Sequence, residues 1–129
     1  MGEIFSLTGP GVRVTTTTAV QSLELVFDAI AYDEMCIQAM VLGFEGPTSP
    51  SFTVGVDTAM QRETTDGWLS ISSFLAISAV GVPQSLTLTK GGFFRYLRWN
   101  VSNLSGATGV SFYISGVARS YPSSSRAMR

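Results

Sequence analysis

The dominant spacing of apolar side chains along this chain is two residues, the period of a strand with one face buried. In Leu23-Glu24-Leu25-Val26-Phe27-Asp28-Ala29, the side chains of Leu23, Leu25, Phe27 and Ala29 share a face, and Glu24 and Asp28 take the other. Phe52, Val54, Val56, Thr58 and Met60 repeat the pattern, as do Leu97, Trp99 and Val101, and then Val110, Phe112, Ile114 and Gly116. The β-branched run Thr15-Thr16-Thr17-Thr18 favours an extended chain. Residues 35–44 tolerate a helix through Met, Gln, Ala and Leu, but their length and flanks fit a long buried strand better.

Turn chemistry separates these rows. Gly9-Pro10-Gly11, Gly46-Pro47-Thr48-Ser49-Pro50, Asp66-Gly67, Gly81-Val82-Pro83, Gly91-Gly92 and Ser105-Gly106-Ala107-Thr108-Gly109 each punctuate the pattern. About eight short strands between such turns predict an all-β fold, an antiparallel β-sandwich of jelly-roll-like type. No internal repeat of fixed period is present.

The ends read differently. Ile4, Phe5 and Leu7 precede the first Pro/Gly break with no evident strand partner, and Ser120-Tyr121-Pro122-Ser123-Ser124-Ser125 opens a polar tail. The expected organisation is an extended N-terminal arm over residues 1–11, a sandwich over 12–119 and a C-terminal tail over 120–129. Chain ends stay disordered unless something holds them, and a neighbouring subunit is the natural holder. On that reading, removing residues 1–9 leaves the domain folded.

Composition sharpens the picture. The chain has 129 residues, and by surface scaling about two thirds of its unfolded surface is buried on folding, enough for one self-sufficient domain. Cys36 is alone, so no intrachain disulfide forms, and a small buried thiol is its expected state. The net charge is −1, with no His and Lys90 as the one lysine. A phosphate backbone demands a cationic patch that this balance does not supply, so nucleic acid is not an expected partner.

Only 13% of residues are charged, about half the ~25% of ordinary soluble domains, and the mean hydropathy is +0.29. Depletion of charge marks the buried centre of interfaces, so part of the surface is expected to be covered by other protein. Residues 67–89 and 99–118 carry no charge at all. Ser, Gln, Pro and Gly interrupt the first and Asn, Ser and Gly the second, which is too costly for a membrane span. The N-terminus has no basic region or continuous apolar run, so no secretion signal is expected.

No catalytic apparatus is legible. Nucleophilic catalysis normally places a base, most often His, beside the nucleophile, and His is absent. Lys90 beside a Gly-Gly turn reads as a solvated side chain. One Cys cannot build a zinc site. Two carboxylates suffice for a glycosidase, yet Asp28, Asp33, Glu34, Asp57, Glu63 and Asp66 fall at turn or solvent-face positions that single out no pair. No loop alternates acidic ligands for calcium, and Gly91-Gly92 lacks the helix and Lys-Ser/Thr of a phosphate cradle. Asn100-Val101-Ser102 and Asn103-Leu104-Ser105 match glycosylation sequons by chance. The expectation is a non-enzyme without cofactor or metal.

The densest constellation is Phe93-Phe94-Arg95-Tyr96-Leu97-Arg98-Trp99. Alternation sends Phe93, Arg95, Leu97 and Trp99 to one face and Phe94, Tyr96, Arg98 and Asn100 to the other. One reading is an aromatic–arginine exterior of the kind that anchors interfaces. The other is that Arg95 and Arg98 close the sandwich edge against a carboxylate or the backbone. With the two termini, the candidate interface residues are Ile4, Phe5, Leu7, Phe94, Tyr96, Arg98 and Tyr121.

The series Asp66-Gly67-Trp68-Leu69 to Phe74, Gln84-Ser85-Leu86-Thr87-Leu88, Phe94-Arg95-Tyr96-Leu97-Arg98-Trp99 and Ser111-Phe112-Tyr113-Ile114-Ser115-Gly116-Val117-Ala118 resembles small tailed-bacteriophage virion proteins of the capsid decoration, or cement, type. The resemblance covers roughly residues 20–120, and residues 33–63 depart from it. It implies a jelly-roll-like sandwich on the outside of an icosahedral head, bound to the major capsid protein at capsomer junctions. It also implies self-association as a dimer or trimer, and synthesis in the host cytoplasm. A tail or baseplate subunit would obey the same assembly logic. Arg95-Tyr96-Leu97-Arg98 is similar to a strand of discoidin-like jelly rolls as well, which implies a carbohydrate-binding module with Trp68 or Phe93-Phe94 as platform.

Overall fold

In the computed structural model, which describes residues 2–22, 25–63, 67–89 and 91–120, the period-two rows become antiparallel strands. In chain order these are β1 (Gly2–Ser6), β2 (Val12–Val14), β3 (Ala19–Val20), β4 (Phe27–Asp28), β5 (Glu34–Glu45), β6 (Ser51–Ala59), β7 (Leu69–Ser73), β8 (Gln84–Thr89), β9 (Tyr96–Ser105) and β10 (Gly109–Arg119). One sheet runs β1-β10-β5-β8 with β2 also on β10, and the other runs β3-β9-β6-β7 with β4 also on β9.

The count of ten and the expectation of about eight describe the same object. Both β1 and β2 pair β10, and both β3 and β4 pair β9. Each couple is one interrupted strand. Merging them leaves eight strands in two sheets, and every step along the chain crosses between the sheets except the hairpin from β6 to β7, which is the jelly-roll arrangement.

The core lies between the sheets. Met35, Ile37, Ala39 and Val41 of β5 and Val110, Phe112 and Ile114 of β10 meet Phe52, Val54 and Val56 of β6 and Leu97, Trp99 and Val101 of β9, all buried. Burying each large apolar side chain stabilises the fold by roughly 1.5–3 kcal/mol. Phe112 is central: its ring tilts against Phe52 at 4.9 Å and meets Trp99 edge-on at 5.3 Å. Such geometry suits the aromatic quadrupole. The ambiguous run at 35–44 is therefore strand, with Cys36 and Gln38 outward between buried neighbours. Its register slips between Ser111 and Phe112 of β10, where Leu42 is the unpaired extra residue and stays exposed.

Several expectations need correction. Residues 2–6 are not a free arm but the edge strand β1, paired with β10 from Gly2↔Arg119 to Ser6↔Ser115. Phe5 stacks on Phe27 at 4.4 Å and packs across Gly116, where a Cβ would come within 3.0 Å of its ring. Leu7 N–H donates to Ile114 O. The partner lies more than a hundred residues away, so no local signal could reveal it. The threonine run is not an extended strand: Thr16 to Thr18 form a bend, with Thr16 Oγ1 donating to Thr18 O. Leu25 and Met60, placed on core rows, are exposed: Leu25 N–H turns back to Ser22 O, and β6 ends at Ala59. Leu23 and Glu24 lie outside the described residues, as do Asp66, Lys90 and the tail 121–129 with Tyr121.

Candidate interaction surfaces

The seven candidate interface residues separate into distinct environments. Ile4 is fully displayed, 88% exposed on β1, whereas Phe5 and Leu7 are buried and belong to the core. The alternation of β1 decides this, because one face of an edge strand still packs inward. Tyr121 is outside the described residues. Phe94, Tyr96 and Arg98 do share the outward side of the strand entering β9, and each does something different there.

Phe94 stands at one end of the sandwich, exposed, with its backbone N–H donated to Thr58 Oγ1 at 2.7 Å. It lines a cleft of about 240 Å³ with Ala29, Ile30, Tyr32, Asp33, Phe93 and Arg95. Asp33 lies in the bend ahead of β5, as a turn position would, but is almost fully buried and does not face solvent. Its backbone N–H donates to Arg119 O, which tucks the start of β5 under the end of β10. Arg95 does not enter the core face that strict alternation assigned it. It precedes the first strand residue, so its guanidinium is free to leave, and it pairs with Asp28 at 2.9 Å while standing 5.0 Å over the Tyr96 ring. The hydrogen bond from Arg95 holds the Asp28 carboxyl below its ordinary range, helped by the Ile30 N–H. Ile30, Phe94 and Met60 are all exposed around this end, Met60 following directly on the Ala59↔Tyr96 pair.

Arg98 is mostly covered. It donates to Asp57 Oδ2 at 3.0 Å, with side-chain exposures of 14% and 4%, and lies 4.5 Å over the Trp68 ring. Asn100 Nδ2 donates to the same oxygen at 2.9 Å. Asp57 is thus a buried acid where a solvent-face acid was expected. The register pairs Asp57 with Arg98 across β6 and β9, and Trp68, ahead of β7, roofs the pair. The closing reading of the Phe93–Trp99 segment is the one the geometry shows, with Arg95 and Arg98 against carboxylates, while Phe94 is a displayed aromatic.

Elsewhere, Arg13 and Glu45 form a bidentate pair at 2.5 and 2.8 Å that holds the Glu45 carboxyl below its ordinary range. Tyr32 donates its hydroxyl to Glu3, which raises the phenol above its usual value. Cys36 is exposed, not buried, because it alternates outward between Met35 and Ile37. Among the described residues no three His, Cys, Asp or Glu side chains converge as a metal would require, and no helix is long and apolar enough to cross a membrane.

No family model matches this chain and no curated protein matches it in sequence. Among solved structures the chain is similar to the crystal structure of the SPBc2 prophage-derived protein YomS, with a TM-score of 0.51, 10% identity and 92% of each chain covered. At that identity the likeness shows the fold, and it extends over nearly the full length of both molecules.

Proposed function

We propose that this chain is a structural protein of a tailed-phage virion, not an enzyme, and that it serves as a decoration protein on the outside of the head. The observation that carries the reading is the exposure of Ile30, Met60 and Phe94 at the end of the sandwich where β4 and β6 stop and β9 begins, in a molecule with only 13% charged residues. Exposed apolar side chains gathered at one place mark protein contacts. The shared fold with a prophage-derived protein supports the phage context. The major capsid protein is the proposed partner, met where capsomers join. Binding the assembled shell and not its separate parts stabilises the shell by mass action.

A second reading is favoured by one feature, the aromatic cleft. Tyr32, Phe93 and Phe94 beside Asp33 and Arg95 combine ring faces with polar groups, the mixture that a small ligand such as a sugar needs.

The test is uptake of the purified chain by heads assembled without it. Co-sedimentation at a fixed ratio is expected, reduced at least tenfold by Ile30→Asp with Phe94→Asp in a protein whose melting curve is unchanged. No uptake by heads, together with binding to isolated tails or to a glycan array, would overturn the decoration reading in favour of the corresponding alternative.

A further inference from the structure

The uncharged residues 67–89 are not scattered over the surface. They build one entire flank of the sandwich. β7 is the outer strand of one sheet and β8 the outer strand of the other, and the connection between them continues both edges. Phe74 N–H donates to Val54 O, Ile77 and Phe52 exchange two backbone bonds, and Gly81 N–H donates to Val41 O. Leu69, Leu75, Val80 and Val82 are exposed along this flank, and the other outward positions of β8 are Ser85, Thr87 and Thr89.

Open sheet edges invite pairing, and proteins that stay single blunt them with charges, proline or bulges. The opposite flank is blunted in that way: β1 and β2 carry Glu3 and Arg13, and β4 carries Asp28, with Arg13 and Asp28 in ion pairs. On the uncharged flank β7 faces a register slip between Val56 and Asp57. Within β8 itself none of the three occurs, and Pro83 stands just before its first residue. The strand pairs β5 over six consecutive positions, Glu34↔Thr89 to Ala39↔Gln84, without a slip, and among the described residues no strand lies on its other side.

We infer that β8 pairs antiparallel with β8 of a second copy, joining two sheets across a two-fold axis. A strand paired with itself antiparallel is what a two-fold axis generates. Two registers keep inward side chains on one face: Leu86 opposite Leu86 of the second copy, or Thr87 opposite its own equivalent. Neither sets like charges together. An uncharged edge also offers nothing to a charged partner, whereas the same edge on another copy matches it in character. Six residues at ~3.4 Å give an edge of about 20 Å, and two sheets ~10 Å apart with their side chains make the flank about as wide. That is about 400 Å² in projection, to which the relief of Leu69, Leu75, Val80 and Val82 adds, so the flank supplies about half or more of the ~800 Å² per partner of a standard interface. The inference goes beyond the head-binding reading and stands without it, since the apolar end around Phe94 stays free.

Light scattering after size exclusion tests it on the full chain at tens of micromolar. The expected mass is twice 13.8 kDa. Ser85→Lys with Thr87→Lys is expected to give the single-chain mass, and Ile4→Lys on the opposite flank to leave the dimer intact. Hydrogen exchange on the unaltered protein supplies a second reading: amides of 84–89 gain protection with concentration and those of 2–6 do not. A single-chain mass for the unaltered protein, a trimer, a dimer that survives the paired lysines, or protection independent of concentration would each overturn the inference.

Discussion

Gln21 and Trp99 clasp each other through the backbone. Gln21 N–H donates to Trp99 O and the Gln21 side-chain Oε1 accepts the Trp99 N–H, both at 3.1 Å. The amide Nε2 then donates to Leu7 O and Leu25 O, each at 2.7 Å. One buried side chain thereby ties β3 and β9 to the chain leaving β1. Every polar atom of that amide is satisfied, which is what makes a buried glutamine tolerable.

Gln21→Leu keeps the apolar bulk and leaves the Leu7 and Leu25 carbonyls and the Trp99 N–H without their partner. A buried group so orphaned costs about 1–3 kcal/mol, so a loss of roughly 2–4 kcal/mol is expected in urea unfolding. A loss under ~0.5 kcal/mol would mean that water replaces the amide.

Two adjacent residues of β1 should behave oppositely. Phe5→Ala removes a ring stacked on Phe27 and seated over Gly116, and such truncations cost about 3–5 kcal/mol. Ile4→Ser, at an exposed position, should stay within ~0.5 kcal/mol. Deleting residues 2–7 should unfold the domain, the reverse of what a free arm predicts. Thermal melts of the three variants decide the matter.

Asp57→Ala strands Arg98 beneath Trp68. Removing one member of a buried pair costs about 3–5 kcal/mol, and the lower end is expected here because Arg98 retains some solvent contact. Tryptophan fluorescence should shift in the folded variant, since the cation over Trp68 loses its anchor. Unchanged stability and emission would contradict the geometry.

The pH profile follows from signs. Asp28 and Glu45 have folded values below their unfolded ones, so their contribution is complete above the usual carboxylate range and is lost as pH falls through the depressed folded values. Tyr32 is raised, so its contribution is complete below about 10 and is lost as pH climbs through the higher folded value. With no His in the chain, stability should be flat between about pH 5 and 9. A step near pH 6–7 in denaturant midpoints would contradict this.

The rows at 52–58, 97–101 and 110–114 were legible because period two is a local property, and they define the core that was found. The clasp at Gln21 and the pairing of Asp57 with Arg98 were not: the first joins residues 78 positions apart, and the second depends on a register shifted by one residue at the slip between Thr53 and Val54. Asp57 looks like a solvent-face acid until Trp68 and Arg98 are brought over it. The lack of charge in 67–89 was plain, but only topology gathers those residues on one flank. Phe94 was placed correctly as a displayed aromatic. Its neighbours Ile30 and Met60 come from strand ends, where alternation says nothing about exposure.

The place of the protein on the particle can be seen in a cryo-electron microscopy map of heads carrying it. Jelly-roll density is expected on the outer surface at the joints between capsomers, with the end bearing Ile30, Met60 and Phe94 against the shell. Density confined to the tail or baseplate, or heads that bind none of the protein, would contradict it.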